Sequence, residues 1–341
     1  MFRNSNKKES KVLLTRENSV VLARLALVEF GYDPETVDLQ FVKMRENTVF
    51  RAETPDGSIA LRLHRPGYRT HEEVKAESDF IDLLSREGFP VVHLVEAANG
   101  HRAVTVSDGE TEVIVDAQRW LENSRQLGQT EGAEEASPLL PEHFETMGAL
   151  AARMHNVAER LGGAGKFPRV PWDCEAIIGP DALWGDALSA PGLDAGATGQ
   201  LQRAREIMRD QFKAFGTEPS VYGVIHADFT PENVLVSGDE FVVIDFDDFG
   251  DGWYLFDLST VLFFFVENEL YPDYREALLR GYRTERDLSQ HEEQLLDLFL
   301  LARGFTYLGW AATRPETATA QFLIAEIVPL VVRMATDLGA E

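Results

Sequence analysis

The stretch from Val221 to Leu258, VYGVIHADFTPENVLVSGDEFVVIDFDDFGDGWYLFDL, constrains this chain more than any other. Two apolar runs, Val234 to Val236 and Phe241 to Ile244, flank a polar turn through Gly238, which predicts an antiparallel hairpin. With Val236 opposite Phe241, the register places Asn233 opposite Ile244. Asn233 and Asp245 then leave the hairpin side by side at one end. His226-Ala-Asp228 stands on the loop leading in, with Asn233 five residues after Asp228. Two carboxylates and an amide oxygen are thereby drawn toward one small volume. Hard oxygen donors of this kind suit Mg2+, which keeps some waters and takes further ligands from substrate phosphates. A lone His-x-Asp is usually an ordinary loop, and an acidic cluster after a strand is usually a solvated turn. The two together, with a hairpin between them, carry the chemical reading.

The loop H-A-D-F-T-P-E-N and the later I-D-F-D-D resemble the catalytic and metal loops of the protein-kinase-like fold. Their form is that of the aminoglycoside phosphotransferase family, which includes choline kinase, homoserine kinase and the bacterial stress-response kinase. Glu46-Asn-Thr-Val-Phe-Arg51, Trp120-Leu-Glu122, Leu150-Ala-Ala-Arg-Met-His155, Trp253-Tyr-Leu-Phe-Asp257 and Leu308-Gly-Trp310 are similar to the stress-response and homoserine kinase branch. The resemblance spans residues 20–335 or so. It implies an α+β, protein-kinase-like two-lobe fold. A small antiparallel-sheet N-lobe would occupy residues 1–118 and a larger, mainly helical C-lobe residues 119–341. It implies transfer of the γ-phosphate of ATP, with Mg2+, to a hydroxyl of a small-molecule acceptor: an amino alcohol, amino acid, sugar or aminoglycoside-like compound. In that reading Asp228 accepts the hydroxyl proton or orients it. Asn233 and Asp245 hold the metal, and Asp247 is a second acidic contributor. His226 props the loop and Asp257 braces it from below. Two other readings stay open. A protein Ser/Thr kinase of the stress-response type would share every one of these motifs. A non-catalytic nucleotide-binding module would share the fold.

Two departures from the family pattern lie in the first third of the chain. The turn Arg45-Glu-Asn-Thr48, where the family places a phosphate-covering loop, has no glycine; Asn47 and Thr48 are its candidate donors, and a plain tight turn is the alternative. The strand expected over Ile59 to His64 has no lysine, and none occurs between Lys43 and Lys75. Alternation puts Leu61 and Leu63 on one face and Ala60 and Arg62 on the other. Ala60 would leave room for adenine, and Arg62 would grip phosphate through its planar fork; the alternative is a surface arginine on an edge strand. A helix follows, opened by the capping box Thr70-x-x-Glu73. Val74, Ile81 and Leu84 form its apolar stripe, and Glu77 falls on that stripe. A carboxylate there is costly unless paired. The resemblance supplies Arg62 as its partner; Glu72 and Glu73 look more solvated. Gly88 to Leu94 is expected to open the next strands, and Thr111 to Gln118 to form a strand. Aligning Trp120-Leu-Glu122 with the family's hinge implies adenine contacts from the Arg119 carbonyl and the Leu121 N–H.

The rest of the chain is expected to build scaffold. Helices are predicted over residues 19–30, 141–161 and 200–215, and from Asp257 onward, with Pro329 interrupting the last. Residues 122–141 read as a loop, and residues 162–199 as irregular structure anchored by Trp172 and Trp184. Thirty-two basic residues against 57 acidic ones give a net charge of −25, which sets nucleic acid and anionic membranes aside as partners. The single cysteine, Cys174, cannot form an internal disulfide, which suits a reducing cytoplasm. The longest uninterrupted apolar runs, such as Val261 to Val266, are too short to span a bilayer.

Overall fold

The computed structural model describes residues 14–45, 47–128, 139–162 and 164–339. Glu46 of the glycine-free turn, the polar first residues and residues 129–138 of the expected loop lie outside the described residues. The chain divides into two compact units, Met1–Arg86 with Pro90–Asn123, and Glu87–Phe89 with Ser124–Glu341.

The first unit opens with α1 (Arg16–Glu29). Thr15 caps it, accepting the Asn18 N–H at 3.2 Å, while the Asn18 side chain accepts the Thr15 N–H at 2.7 Å. The chain leaves α1 through Gly31 at φ +83°, backbone that glycine enters without a Cβ clash. Then come β1 (Asp38–Met44), β2 (Thr48–Thr54), β3 (Gly57–Leu63), α2 (His71–Arg86), β4 (Ala103–Ser107) and β5 (Glu112–Arg119). The strands make one antiparallel sheet in the order β1-β2-β3-β5-β4. β3 is therefore central, and the edge-strand alternative for Arg62 falls. Ile59, Leu61 and Leu63 enter the core beside Leu22 and Leu27 of α1, while Ala60 and Arg62 take the opposite face. At the head of α2, the Glu73 carboxylate accepts the Thr70 N–H at 2.8 Å and its hydroxyl at 3.0 Å. Gly88 to Leu94 does not form the expected strand. It makes isolated contacts along β5 beyond the reach of β4: Leu94 bridges Gln118, and Arg119 N–H donates to His93 O at 2.7 Å. Pro90, which has no N–H to donate, interrupts any ladder there.

The second unit is mostly helical. Its elements are β6 (Arg125–Gln126), α3 (Pro141–Arg160), α4 (Cys174–Ile178), α5 (Ala195–Phe215), β7 (Tyr222–Ile225), β8 (Val234–Ser237), β9 (Glu240–Val243), β10 (Gly250–Trp253), α6 (Tyr254–Leu262), α7 (Tyr271–Glu285), α8 (Gln290–Thr313), α9 (Ala318–Phe322) and α10 (Val328–Asp337). Two small antiparallel sheets, β6-β8-β9 and β7-β10, carry the stretch from Val221 to Trp253. The loop expected over 122–141 thus contains a short strand. α5 starts five residues before its expected onset at Gln200, because Asp194 caps it by accepting the Ala197 N–H at 2.8 Å. Gly196 and Gly199 disguised that first turn as loop. α6 likewise begins at Tyr254, so Asp257 sits inside its first turn and does not start the helix. Trp172 and Trp184 meet edge to face at 5.5 Å, and Trp172 also stacks on Phe256.

α3 and α7 pack backbone to backbone. A Cβ added to Gly148 would lie 2.0 Å from Leu278 O, and one added to Gly281 would lie 1.9 Å from Glu145 O. Only hydrogen fits at either place. α8 is nearly apolar all round, and Leu296, Phe299, Phe305 and Leu308 are fully buried. Two helical stretches, Gln290–Thr313 and Ala318–Asp337, are long and apolar enough to cross a membrane by length and composition alone, although the uninterrupted apolar runs are short. The apolar window of the first is 78% buried inside the protein, as a core helix requires. The second is broken by a π turn at Leu323–Ile327, just ahead of Pro329.

Candidate active site

Three non-glycine residues among those described adopt positive φ: Asn123, Ala227 at +66° and Asp245 at +65°. Two of the three fall on the loops singled out by the sequence. Such backbone is held only where surrounding bonds over-determine it. Around Ala227 those bonds are present. Asp257, fully buried on α6, accepts the His226 N–H at 2.9 Å and the Ala227 N–H at 2.8 Å, one on each carboxylate oxygen. The buried His226 ring donates from Nε2 to Ile244 O at 3.0 Å, which leaves Nδ1 to accept the Asp228 N–H at 3.3 Å. Both ring nitrogens are spent tying the loop to the end of the hairpin. Asp257 also accepts from His155 Nε2 at 3.1 Å, and His155 Nδ1 takes the Tyr282 hydroxyl at 3.0 Å. Burial drives the His155 imidazole below its ordinary value, against the pull of Asp257.

β8 and β9 pair in the expected register: Val234 with Val243, Leu235 with Val242, Val236 with Phe241. Ile244 N–H donates to Asn233 O at 2.9 Å, so Asn233 and Asp245 do leave the hairpin from one end. The Asn233 Nδ2 donates to the Asp228 backbone oxygen at 2.8 Å and to its Oδ2 at 3.1 Å. With the amide nitrogen turned to Asp228, Oδ1 is the oxygen of this side chain that a cation would take. The backbone of the acidic loop is pinned from outside: Arg169 donates to the Asp247 and Phe249 carbonyls, and Trp172 Nε1 donates to Asp248 O at 2.7 Å. Asp247 is buried. Among the described residues no three His, Cys, Asp or Glu side chains gather into a metal cluster, so Asp228, Asp245 and Asp247 do not form one. An amide oxygen and a carboxylate that leave most positions to water and phosphate still match what Mg2+ accepts.

Sequence reasoning missed Arg303. It lies on α8, wholly buried, and its Nη2 donates to Asp228 Oδ1 at 2.6 Å and to the Tyr307 hydroxyl at 2.9 Å. Its Nη1 donates to Ala227 O at 3.0 Å. Burial works against the charge, but Tyr307 and Asp228 outweigh it and hold the guanidinium above its ordinary range. The signal was present. Arg303 is a charge in the run Leu298-Phe-Leu-Leu-Ala-Arg-Gly-Phe305, and the argument that gave Glu77 a partner applies to it equally.

In the first unit, Arg62 Nη1 lies 2.8 Å from Glu77 Oε1, with both side chains buried. Glu72 is exposed, and Glu73 is occupied by its cap. Asp116, which faces Arg62 across the β3–β5 ladder, stands 3.7 Å from Arg62 Nε and 2.6 Å from His64 Nε2. Neither Asp116 nor His64 was singled out by the sequence. Asn47 and Thr48 are buried in a tight turn in which Arg45 N–H donates to Asn47 O at 3.2 Å. Arg119 ends β5 with its guanidinium on Asp56 O at 2.8 Å, and Leu121 follows just beyond the strand. The motifs around Arg51 and Glu122 join in an ion pair at 3.0 Å.

The sequence matches the model of a phosphotransferase enzyme family over residues 39–293, which includes the hairpin and both of its loops. The chain belongs to the phosphotransferase enzyme family. Within similar proteins, the homoserine kinase of Methylobacillus flagellatus is 29% identical over 222 residues, 63% of this chain and 60% of that protein. The chain therefore spans about 60% of the length of that curated relative. A microcompartment-associated aminopropanol kinase matches with a TM-score of 0.81 at 28% identity, covering 93% of this phosphotransferase-family chain and 96% of the other. Amicoumacin kinase, solved in complex with AMP-PNP, Ca2+ and Ami, matches with a TM-score of 0.73 at 21% identity, covering 94% of each chain. The expected α+β, protein-kinase-like fold is the fold of this family member and its structural neighbours.

Proposed function

We propose that this chain transfers the γ-phosphate of ATP to a hydroxyl of a small molecule, with amino alcohols the first class to test. The observation that carries the reading is the union of Asp228 with Asn233, with Asp245 delivered beside Asn233 by the hairpin register. The names of the homoserine and aminopropanol kinases support the acceptor class, and the AMP-PNP and Ca2+ of the amicoumacin kinase complex support a nucleotide with a divalent cation.

Asp228 receives the acceptor hydroxyl. Its Oδ1 is held by Arg303 and its Oδ2 by Asn233, so the carboxylate cannot rotate and the hydroxyl is presented along one direction. Phosphoryl transfer asks little covalent chemistry of the protein, so positioning of this kind is most of what a residue contributes. Arg62 would grip phosphate and Glu77 would fix Arg62. Asn47 and Thr48 would cover the phosphates, and the Arg119 carbonyl and Leu121 N–H would meet the adenine edge. Asn233 and Asp245 would hold Mg2+, with Asp247 next on the same loop. When bound, the cation supplies charge neutralisation for the phosphates.

The test is ATP consumption across a panel of amino alcohols, hydroxy amino acids, sugars and aminoglycosides, with a protein substrate included. Asp228→Asn should fold and bind ATP yet lose about 10²–10⁴-fold in turnover on the best acceptor. Unchanged turnover would remove Asp228 from the chemistry. A protein substrate outpacing every small molecule would transfer the reading to the protein-kinase class.

A further inference from the structure

We infer that Arg303 is the positioning residue of this phosphotransfer site, acting on the acceptor through Asp228. The inference rests on the reading just given and extends it to a residue beyond the matched stretch 39–293. Three observations carry it.

The first is cost. A guanidinium fully removed from water is expensive unless it is paired and hydrogen-bonded. Arg303 is completely buried, whereas its only carboxylate partner among the described residues, Asp228, has a side chain 31% exposed. A pair that served packing alone would be expected to have both members buried, since half-exposure of one member weakens its screening of the buried charge. Here the hidden member serves the half-open one.

The second is geometry. The two ends of the guanidinium fork grip two different parts of the loop: Nη2 the Asp228 carboxylate, and Nη1 the carbonyl of Ala227. Ala227 is the residue at φ +66°. Together with Asp257 on the Ala227 N–H, Arg303 closes both polar groups of that peptide position and sets the side chain that follows it. A lysine ammonium is a point charge and cannot span both acceptors with the same fixed fork.

The third is the seat. The guanidinium carbon lies 4.3 Å from the Tyr307 ring centre and 4.7 Å from that of Trp184, with Phe256 at 5.5 Å, and the Tyr307 hydroxyl accepts from Nη2 at 2.9 Å. Ring faces attract a desolvated cation and restrict where its fork points. The direction of the Asp228 carboxylate is thereby inherited from a packed aromatic set on α8 and the Trp184 segment. Asp228, on a loop, has the placement of a core residue.

The experiment compares wild type, Arg303→Met, Arg303→Lys and Tyr307→Phe on the best acceptor from the panel, with circular dichroism and ATP affinity measured for each. Folded Arg303→Met should lose about 10²-fold in kcat while its Kd for ATP stays within about two-fold, the cost of a small misplacement of a reacting group. Added guanidinium ion should restore part of the lost kcat, which a general packing defect would not allow. Arg303→Lys should fall between wild type and Arg303→Met, and Tyr307→Phe should lose a smaller part of kcat. A folded Arg303→Met with wild-type kcat overturns the inference. So does one that loses ATP affinity in proportion to kcat and shows no rescue. Should Arg303→Met fail to fold, Arg303→Lys decides: a tenfold or greater kcat loss with intact ATP affinity supports the role, and wild-type kcat overturns it. A folded wild type that transfers phosphate to no acceptor defeats the functional reading itself, an outcome separate from the failure of Arg303.

Discussion

At the scale of single residues, the most informative pair is Arg62 and Glu77. Arg62 stands on the central strand β3 and contacts Glu77 at 2.8 Å, with Asp116 3.7 Å from its Nε. Removing one member of a buried pair strands the other charge, at about 3–5 kcal/mol. Arg62→Ala should therefore lower stability as well as weaken ATP binding. Its effect on ATP should exceed that on AMP, since AMP lacks the β- and γ-phosphates. Glu77→Gln should be milder, because Asp116 still faces the guanidinium. A double-mutant cycle on ATP affinity, read by calorimetry, checks the coupling: Arg62→Ala with Glu77→Gln should be no worse than Arg62→Ala alone. Strictly additive losses would make the two residues independent. Equal losses for ATP and AMP would place Arg62 away from the outer phosphates.

At the scale of elements, α3 and α7 meet through Gly148 and Gly281, where side chains would collide with the opposing carbonyls. Gly281→Ala should destabilise by about 1–3 kcal/mol, because a backbone oxygen 1.9 Å from the new Cβ forces the helices to separate. The gain in helix propensity, about 1 kcal/mol at most, works the other way and is smaller. Gly199→Ala on α5 is the contrast: the nearest atom is Nη1 of Arg203 at 3.5 Å, so propensity should dominate and stability should rise. Chemical denaturation midpoints measure both. A stabilised Gly281→Ala would show that the α3–α7 contact is loose. The distance between these helices also bears on the site, because His155 on α3 and Tyr282 on α7 meet below the Asp257 brace.

Over the whole molecule, that buried cluster sets a dependence of stability on pH. His155 is held neutral in the folded chain, below the ordinary imidazole value of 6.5, chiefly by burial. Its folded value is depressed, so below about pH 6.5 the unfolded chain binds more protons at this position than the folded one. Above that pH His155 should add no pH dependence to stability. It should fall as pH drops through 6.5 toward the folded value, by at most about 1.4 kcal/mol per pH unit from this one group. Unfolding free energy measured from pH 8 to pH 5 should decline more steeply in wild type than in His155→Gln. Parallel slopes would mean that His155 takes up its proton without unfolding. The cluster lies under the His226–Asp228 loop through Asp257, so the same pH range should loosen Ala227 and Asp228.

What the sequence determined by itself was local. Alternation separated Leu61 and Leu63 from Arg62, and the turn at Gly238 set a register that brings Asn233 and Asp245 to one end of a hairpin. The capping signals at Thr70 and Glu73 marked the start of α2. These follow from periods of two and 3.6 residues and from turn chemistry acting over a few positions. A charge on an apolar helix stripe, as at Glu77, also announced that a partner must exist. The partner's identity was a different matter. Arg303 reaches Asp228 across 75 residues, His155 reaches Tyr282 across 127, and His64 reaches Asp116 across 52. No local period records such meetings. The α3–α7 glycine contact was hidden for the same reason, since it depends on which surface lies opposite. The choice of Arg303 as the group that aims Asp228 belongs to the tertiary structure alone, because only packing decides which buried cation meets which half-exposed carboxylate.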